Sequence, residues 1–169
     1  YGGFRYNPKY WSNVVKDFEN YYELSAKSKV LDVGCAKGFM LKDLEDAIPG
    51  IDVRGVDISK YAIDNSHPQV REKLKVSCAT KLPFPDNSFD LVISVTTLHN
   101  LEGPELEKAF REITRVSKGN AFVTVDAYRN EQERQLMYDW NLTAKTILHV
   151  NEWKMLFKKF NYTGDYYWF

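Results

Sequence analysis

Two glycines and two carboxylates in the first third of the sequence have the types and spacing that bind a nucleotide. Gly34 and Gly38 follow an apolar run that contains Asp32, and Asp57 closes the next apolar run. Glycine lets the backbone approach a ligand closely, and a helix that begins after such a loop presents free N–H groups and the positive end of its dipole. A carboxylate at the end of the second strand can accept hydrogen bonds from both hydroxyls of a ribose. The pattern therefore predicts a site for a cofactor that contains adenosine.

Ala36 stands between the two glycines, where a dinucleotide-binding loop has a glycine that lets the pyrophosphate come close. Alanine at this position disfavours NAD and FAD. Because Asp57 would suit any adenosine cofactor, an NAD(P)-dependent oxidoreductase is the alternative enzyme, and a non-catalytic cofactor-binding partner protein is the alternative outside the enzymes. Asp32 lies among apolar strand residues, where an ionised carboxylate needs a partner, and this makes it a further candidate for the site.

The composition narrows the classes of partner. The 169 residues carry 23 Lys and Arg against 23 Asp and Glu, and a nucleic-acid-binding surface usually needs a basic excess. Cys35 and Cys78 lie in apolar runs rather than at the spacing of disulfides or metal ligands, which predicts free thiols in a cytoplasmic protein without a metal. No apolar run approaches the roughly 18 residues of a membrane-spanning helix. We therefore expect no nucleic-acid, membrane or metal partner, and the oligomeric state is open.

The elements that would position these residues alternate between strands and helices. Apolar runs predict strands over 29–33, 51–56, 74–78, 89–95 and 121–125, with a last strand within 162–169. Periodicity and caps predict helices over 8–22, 39–47, 105–116 and 131–142, a short helix capped by Ser59 and a helix capped by Asn151. Such alternation implies right-handed crossovers and a mainly parallel α/β sheet with helices on both faces. At this length the chain is predicted to form one domain.

Three segments together resemble the class I S-adenosylmethionine-dependent methyltransferases, in the small group called type 11. Residues 30–38 (VLDVGCAKG) are similar to the first motif of that family, and 55–59 (GVDIS) to the segment that holds the ribose. The most specific segment, 79–92 (ATKLPFPDNSFDLV), resembles the stretch that leads into the fourth strand. The resemblance implies a Rossmann-like, doubly wound, mainly parallel sheet of seven strands in a single domain over 1–169. Its parts would be an N-terminal helix and lid (1–28), the cofactor-binding core (29–127) and C-terminal helices with the last strands (128–169).

The resemblance also implies the roles of the cofactor-binding residues. S-adenosylmethionine would be the methyl donor and S-adenosylhomocysteine the product. Asp32 would lie near the amino group of the methionyl part, Asp57 would hold the ribose and Ile58 would lie against the adenine. The remaining implied contacts are the loop around the methionyl part (Gly34, Cys35, Ala36 and Gly38), the adenine edge (Ala79 and Thr80, preceded by Cys78 where relatives often carry an acid) and the neighbourhood of the sulfonium (Ser94 and Val95).

On the acceptor side, His99 follows the predicted fourth strand and would enter the same cleft. Imidazole is well matched to take a proton near neutral pH, so His99 is the candidate general base. The alternative is a ring that packs against Leu101 and hydrogen-bonds the backbone. Tyr6, Tyr10 and Trp11 are candidates for a lid that stacks on the acceptor, and the alternative, above all for Trp11, is a helix that packs on the sheet. The tyrosine-rich start and end also resemble small bacterial methyltransferases of polysaccharide and small-molecule biosynthesis, which implies a small-molecule acceptor such as a sugar or a related hydroxylated metabolite.

Overall fold

Six parallel strands form the central sheet of the protein. The computed structural model describes residues 5–169, so Tyr1 to Phe4, in the predicted lid region, lie outside the described residues. In the order in which they pair, the six strands are β3 (Leu74–Val76), β2 (Asp52–Asp57), β1 (Lys29–Val33), β4 (Leu91–Ser94), β5 (Ala121–Val125) and β8 (Asp165–Trp168).

The expected seventh strand of this sheet is not found among the described residues. After β5 the chain turns aside, and β6 (Ala127–Tyr128) pairs with β7 (Leu148–His149) as a separate two-stranded parallel sheet. Two predicted strands are also shorter than expected. Strand β4 begins at Leu91 because Phe89 makes only an isolated bridge with Ser117, and β3 ends at Val76 rather than at residue 78.

Six α-helices accompany these strands in the described part of the chain: α1 (Pro8–Tyr21), α2 (Phe39–Ala47), α3 (Lys60–Asp64), α4 (Gly103–Val116), α5 (Glu131–Trp140) and α6 (Val150–Lys159). Short 3-10 turns occupy Arg71–Lys73 and Leu98–Asn100. The predicted cap of α3 is confirmed, since the side chain of Ser59 accepts a hydrogen bond from the Ala62 N–H at 3.1 Å. Among residues 5–169, no helix has the length and apolar character needed to cross a membrane.

The prediction that Asn151 caps the last helix is wrong. The cap of α6 is His149, whose ring Nδ1 accepts the N–H of Asn151 at 3.1 Å, while the Glu152 carboxylate accepts the His149 N–H at 2.8 Å. This reciprocal pair satisfies two backbone donors that a helix start leaves free. Asparagine is the commoner cap, which is why the sequence favoured the position two residues later.

Helices cover both faces of the sheet, as a doubly wound fold requires. On one face, Leu31 and Val33 of β1 pack in a core with α4 and α6, in which Phe110 and Trp153 are fully buried. On the other face, Val30 packs in a second core with α1 and α2. Strand β1 pairs with β2 on one side and β4 on the other, so the strand order reverses there. In open α/β sheets the crevice beyond that reversal is where ligands bind.

Candidate active site

A cavity of about 420 Å³ opens beyond the carboxyl ends of β1, β2 and β4. Its walls come from the loop after β1, the loop and first turn of α3 after β2, and the segment after β4. Eight of the predicted site residues line it: Trp11, Asp32, Gly34, Cys35, Ala36, Asp57, Ile58 and Val95. The cavity therefore brings together one of the two loop glycines and both of the carboxylates on which the cofactor prediction depends.

The loop after β1 is shaped by left-handed backbone conformations. Gly34 has φ +89° and Gly38 has φ +73°, and Ala36 between them has φ +46°. A Cβ atom on Gly34 would lie 2.0 Å from Oγ1 of Thr97, so this position has no room for a side chain. Glycine adopts such conformations without the steric cost that other residues carry. The loop consequently presents backbone, rather than side chains, to the cavity at Gly34.

Asp57 holds the loop and the start of α3 at the same time. Its Oδ2 accepts the N–H of Ala36 at 2.8 Å, and its Oδ1 accepts the N–H of Ser59 at 2.8 Å. The first bond fixes Ala36 in its left-handed conformation. A carboxylate oxygen has two acceptor positions, so each oxygen of Asp57 can still accept one ligand hydroxyl. This geometry suits the two hydroxyls of a ribose.

Asp32 is a buried carboxylate in the floor of the cavity. Burial, and secondly the negative charge of Asp57, raise the pKa of Asp32 to about 8. A cation beside Asp32 would favour its ionised form, because an opposite charge offsets both effects. Burial also raises the pKa of the neighbouring Cys35 thiol well above its ordinary value, with smaller contributions from Asp32 and Asp57. Cys35 therefore stays a neutral packing residue.

An apolar surface next to Asp57 can carry a flat ring. Ile58 is 76% exposed and Tyr61 is 64% exposed, and both side chains line the cavity. The Lys37 ammonium lies 5.7 Å from the centre of the Tyr61 ring, within cation–π range. Large apolar residues this exposed at a cavity suit the stacking of a ligand ring. Tyr61 was missed by the sequence analysis, although its place in the first turn after the Ser59 cap could have indicated it.

Several predicted residues do not line this cavity. Gly38 is the N-cap of α2, and a Cβ there would meet Val70 and Leu74 at 2.8 Å each. Ser94 is buried and donates from its hydroxyl to the Val33 carbonyl at 2.8 Å. The segment that follows β3 also stays outside the lining, with the Cys78 sulfur 3.1 Å from the Thr80 hydroxyl and Ala79 packed on the core. The contacts predicted for these residues with the methionyl part, the adenine and the sulfonium stay predictions.

His99 lies in the 3-10 turn after β4, 5% exposed. Its Nδ1 is 3.3 Å from Oδ1 of Asp126 but is not aligned for a hydrogen bond. Burial lowers the pKa of His99, although the Asp126 charge acts in the opposite direction. Its backbone carbonyl accepts the N–H groups of Lys145 and Thr146, each at 2.9 Å. The ring does not line the cavity described above, and the hydrogen bonds of the His99 carbonyl stabilise the turn. The role of His99 as a general base stays a prediction.

A second cavity of about 650 Å³ adjoins the first, between α1 and the faces of β5 and β8. Trp11 and Val95 line both cavities and so form their common boundary. The second cavity is lined by eight aromatic side chains: Tyr10, Trp11, Phe18, Tyr21, Tyr22, Phe122, Tyr167 and Phe169. We call it the aromatic cavity. Tyr10 and Trp11 line the aromatic cavity, whereas Tyr6 packs on Phe39 and His67 with ring centres 5.6 and 5.3 Å apart, and the lid role of all three stays a prediction.

Comparisons with known proteins place the chain among methyltransferases. A family described as "Methyltransferase domain" matches residues 31–125. The chain is 29% identical over 131 residues to the malonyl-[acyl-carrier protein] O-methyltransferase of Legionella pneumophila, covering 75% of this chain and 45% of that protein. It is 33% identical over 154 residues to the tRNA (carboxymethyluridine(34)-5-O)-methyltransferase of Arabidopsis thaliana, covering 85% of this chain and 33% of that protein.

Among solved structures, the YcgJ protein of Bacillus subtilis shares the fold, with a TM-score of 0.71 at 20% identity over 88% of this chain and 67% of that one. The chain covers 45% and 33% of the lengths of these two curated relatives, so it spans less than half of either one.

Proposed function

This chain belongs to the class I S-adenosylmethionine-dependent methyltransferases, and we propose that the protein moves a methyl group from S-adenosylmethionine to a small-molecule acceptor bound in the aromatic cavity. The observation that carries the proposal is the shared boundary of the two cavities at Trp11 and Val95. A cofactor in the first cavity and an acceptor in the second would meet there.

The residues of the first cavity fit the cofactor part by part. The side-chain-free backbone at Gly34 leaves room for the methionyl chain, and the ionised form of Asp32 complements a positive charge. The free acceptor positions of Asp57 suit the ribose, and the exposed faces of Ile58 and Tyr61 suit the adenine. When bound, S-adenosylmethionine supplies a methyl group on a positively charged sulfur.

The chain's own contribution to the reaction is positioning and the exclusion of water. In the displacement, the acceptor forms a bond to the methyl carbon while the bond between that carbon and sulfur breaks, so the nucleophile must be held in line at close range. The aromatic rings around Trp11 can hold an acceptor by stacking while they keep water from the transfer path. Asp17 and Asp165 line the same cavity and can accept the proton that a hydroxyl or amino acceptor gives up.

A small organic acceptor suits the aromatic cavity better than a nucleic acid does. The cavity volume of about 650 Å³ is within the range of small-molecule sites. Aromatic rings also stack on the apolar face of a sugar, so a sugar or a related hydroxylated metabolite falls within the proposed class. The balance of 23 basic and 23 acidic residues supplies no excess charge to neutralise phosphates.

A calorimetric titration with S-adenosylhomocysteine, with NADH run beside it, tests the cofactor. We expect S-adenosylhomocysteine to bind and NADH not to bind. The substitution Asp57→Ala removes both acceptor oxygens and should weaken binding roughly 30-fold or more. Asp52→Ala, at the opposite end of the same strand, is the matched control and should leave the affinity unchanged.

Tight binding of NADH alone would overturn the proposal in favour of an oxidoreductase. If S-adenosylhomocysteine binds, methyl transfer is then followed as release of that product with sets of hydroxylated and amino acceptors. Binding without transfer to any acceptor of either set would favour a non-catalytic cofactor-binding partner protein.

A further inference from the structure

The lining of the aromatic cavity carries negative charge. Its charged lining residues are Asp17 on α1 and Asp165 at the start of β8, and the lining holds no Lys, Arg or His of residues 5–169. Neither carboxylate forms an ion pair with a basic side chain of that described part. The faces of aromatic rings carry partial negative charge, so the eight rings and the two carboxylates act in the same direction.

The carboxylate of Asp165 is oriented by two tyrosines. Its Oδ2 accepts the hydroxyl of Tyr22 at 2.8 Å, and its Oδ1 lies at 3.5 Å from the hydroxyl of Tyr21. Burial and the adjacent Asp165 raise the pKa of Tyr22 above its ordinary value, so its hydroxyl remains a donor. Asp17 lies four residues before Tyr21 and therefore on the same face of α1, one turn away. Both carboxylates thus belong to the wall that the aromatic rings form.

Resting on the proposed function, we propose that the acceptor carries a positively charged amino group, which the aromatic cavity recognises through its ring faces and the carboxylates of Asp17 and Asp165. An ammonium or guanidinium group gains from both kinds of contact, whereas an alcohol of the same shape gains from neither as strongly. An acceptor with a phosphate or carboxylate would bring a third negative charge to this wall, without a basic residue of the described lining to pair with it.

Three probes of similar shape and different charge test the proposal: phenethylamine, phenethyl alcohol and hydrocinnamate. Each is titrated into the protein saturated with S-adenosylhomocysteine, and binding is followed by tryptophan fluorescence and calorimetry. We expect phenethylamine to bind at least about tenfold more tightly than the alcohol, and hydrocinnamate to bind more weakly than either.

Variants assign the preference to the two carboxylates. Asp165→Asn keeps an oxygen that can accept the Tyr22 hydroxyl, so it removes charge with little change of packing. Asp165→Asn and Asp17→Asn should each reduce the preference for phenethylamine over the alcohol by roughly threefold to tenfold. Glu72→Gln, an exposed acid in the 3-10 turn before β3, should leave it unchanged.

Equal binding of amine and alcohol, tighter binding of hydrocinnamate, or a preference that both Asn variants leave intact would overturn the proposal. Absence of amine binding at millimolar concentration would do the same. These outcomes are distinct from failure of the proposed function. That failure would appear as missing S-adenosylhomocysteine binding in the other cavity, before a probe is added.

Discussion

Gly34→Ala should both destabilise the protein and weaken cofactor binding. The new Cβ would lie 2.0 Å from Oγ1, 2.5 Å from Cγ2 and 2.7 Å from Cβ of Thr97, so Thr97 or the loop must move. Overpacking of this kind costs about 1–3 kcal/mol. The φ of +89° adds about 1–2 kcal/mol for a residue with a Cβ. We expect the free energy of unfolding to fall by about 2–5 kcal/mol in total.

Two further variants separate the steric cost from the backbone cost. Gly103 also has a left-handed backbone (φ +51°), but no heavy atom lies within 4 Å of the position its Cβ would take. Gly103→Ala should therefore cost only the backbone part, about 1–2 kcal/mol. Thr97→Gly removes all three close atoms, so in the double variant with Gly34→Ala it should recover the steric part as a coupling energy of about 1–3 kcal/mol.

Urea unfolding followed by circular dichroism gives these free energies, and calorimetry with S-adenosylhomocysteine gives the effect on the site. A cost for Gly34→Ala no greater than that for Gly103→Ala would refute the steric reasoning. So would a double variant without measurable coupling, because Thr97 would then not be the group that the new methyl displaces.

Three other variants test the charged and polar contacts. Because the pKa of Asp32 is raised to about 8, affinity for S-adenosylhomocysteine should rise roughly fivefold to tenfold between pH 7 and 8.5 as the carboxylate ionises, and Asp32→Asn should flatten this rise. Burial lowers the pKa of His99, so below about pH 6.5 the unfolded chain binds a proton that the folded chain does not. The free energy of unfolding therefore decreases as the pH is lowered. His99→Gln should lose less stability than the natural protein between pH 7.5 and 5.5 in urea unfolding. Tyr6→Phe removes the hydroxyl that donates to the buried Asp43 and accepts from Lys42, and it should lower the free energy of unfolding by about 1 kcal/mol. An unchanged midpoint of urea unfolding would show that Tyr6 does not anchor the segment before α1.

The cofactor cavity could be predicted where its signals are local. The apolar run before Gly34, the left-handed glycine turn and Asp57 at the end of the next strand are all visible in short segments, and the strand-order rule of α/β sheets brings them to one edge. Thr97 was missed because its part in the site depends on its close approach to Gly34 across the cavity. The sequence offers no periodicity that would mark such contacts.

The aromatic cavity could not be predicted in the same way, because its two walls come from opposite ends of the chain. Tyr22 and Asp165 are 143 positions apart and meet only when β8 pairs with β5 under α1. In the sequence, the aromatic residues of α1 have the spacing of an ordinary core-facing helix, and Val15 and Phe18 are indeed buried. The other aromatic rings of that helix lie close to Asp165 only in the folded chain, and the preference of the cavity for a cation can be recognised only from that arrangement. The proposed charge selectivity of the acceptor site therefore depends on the folded chain, whereas a site for an adenosine cofactor is already indicated by one loop and one carboxylate.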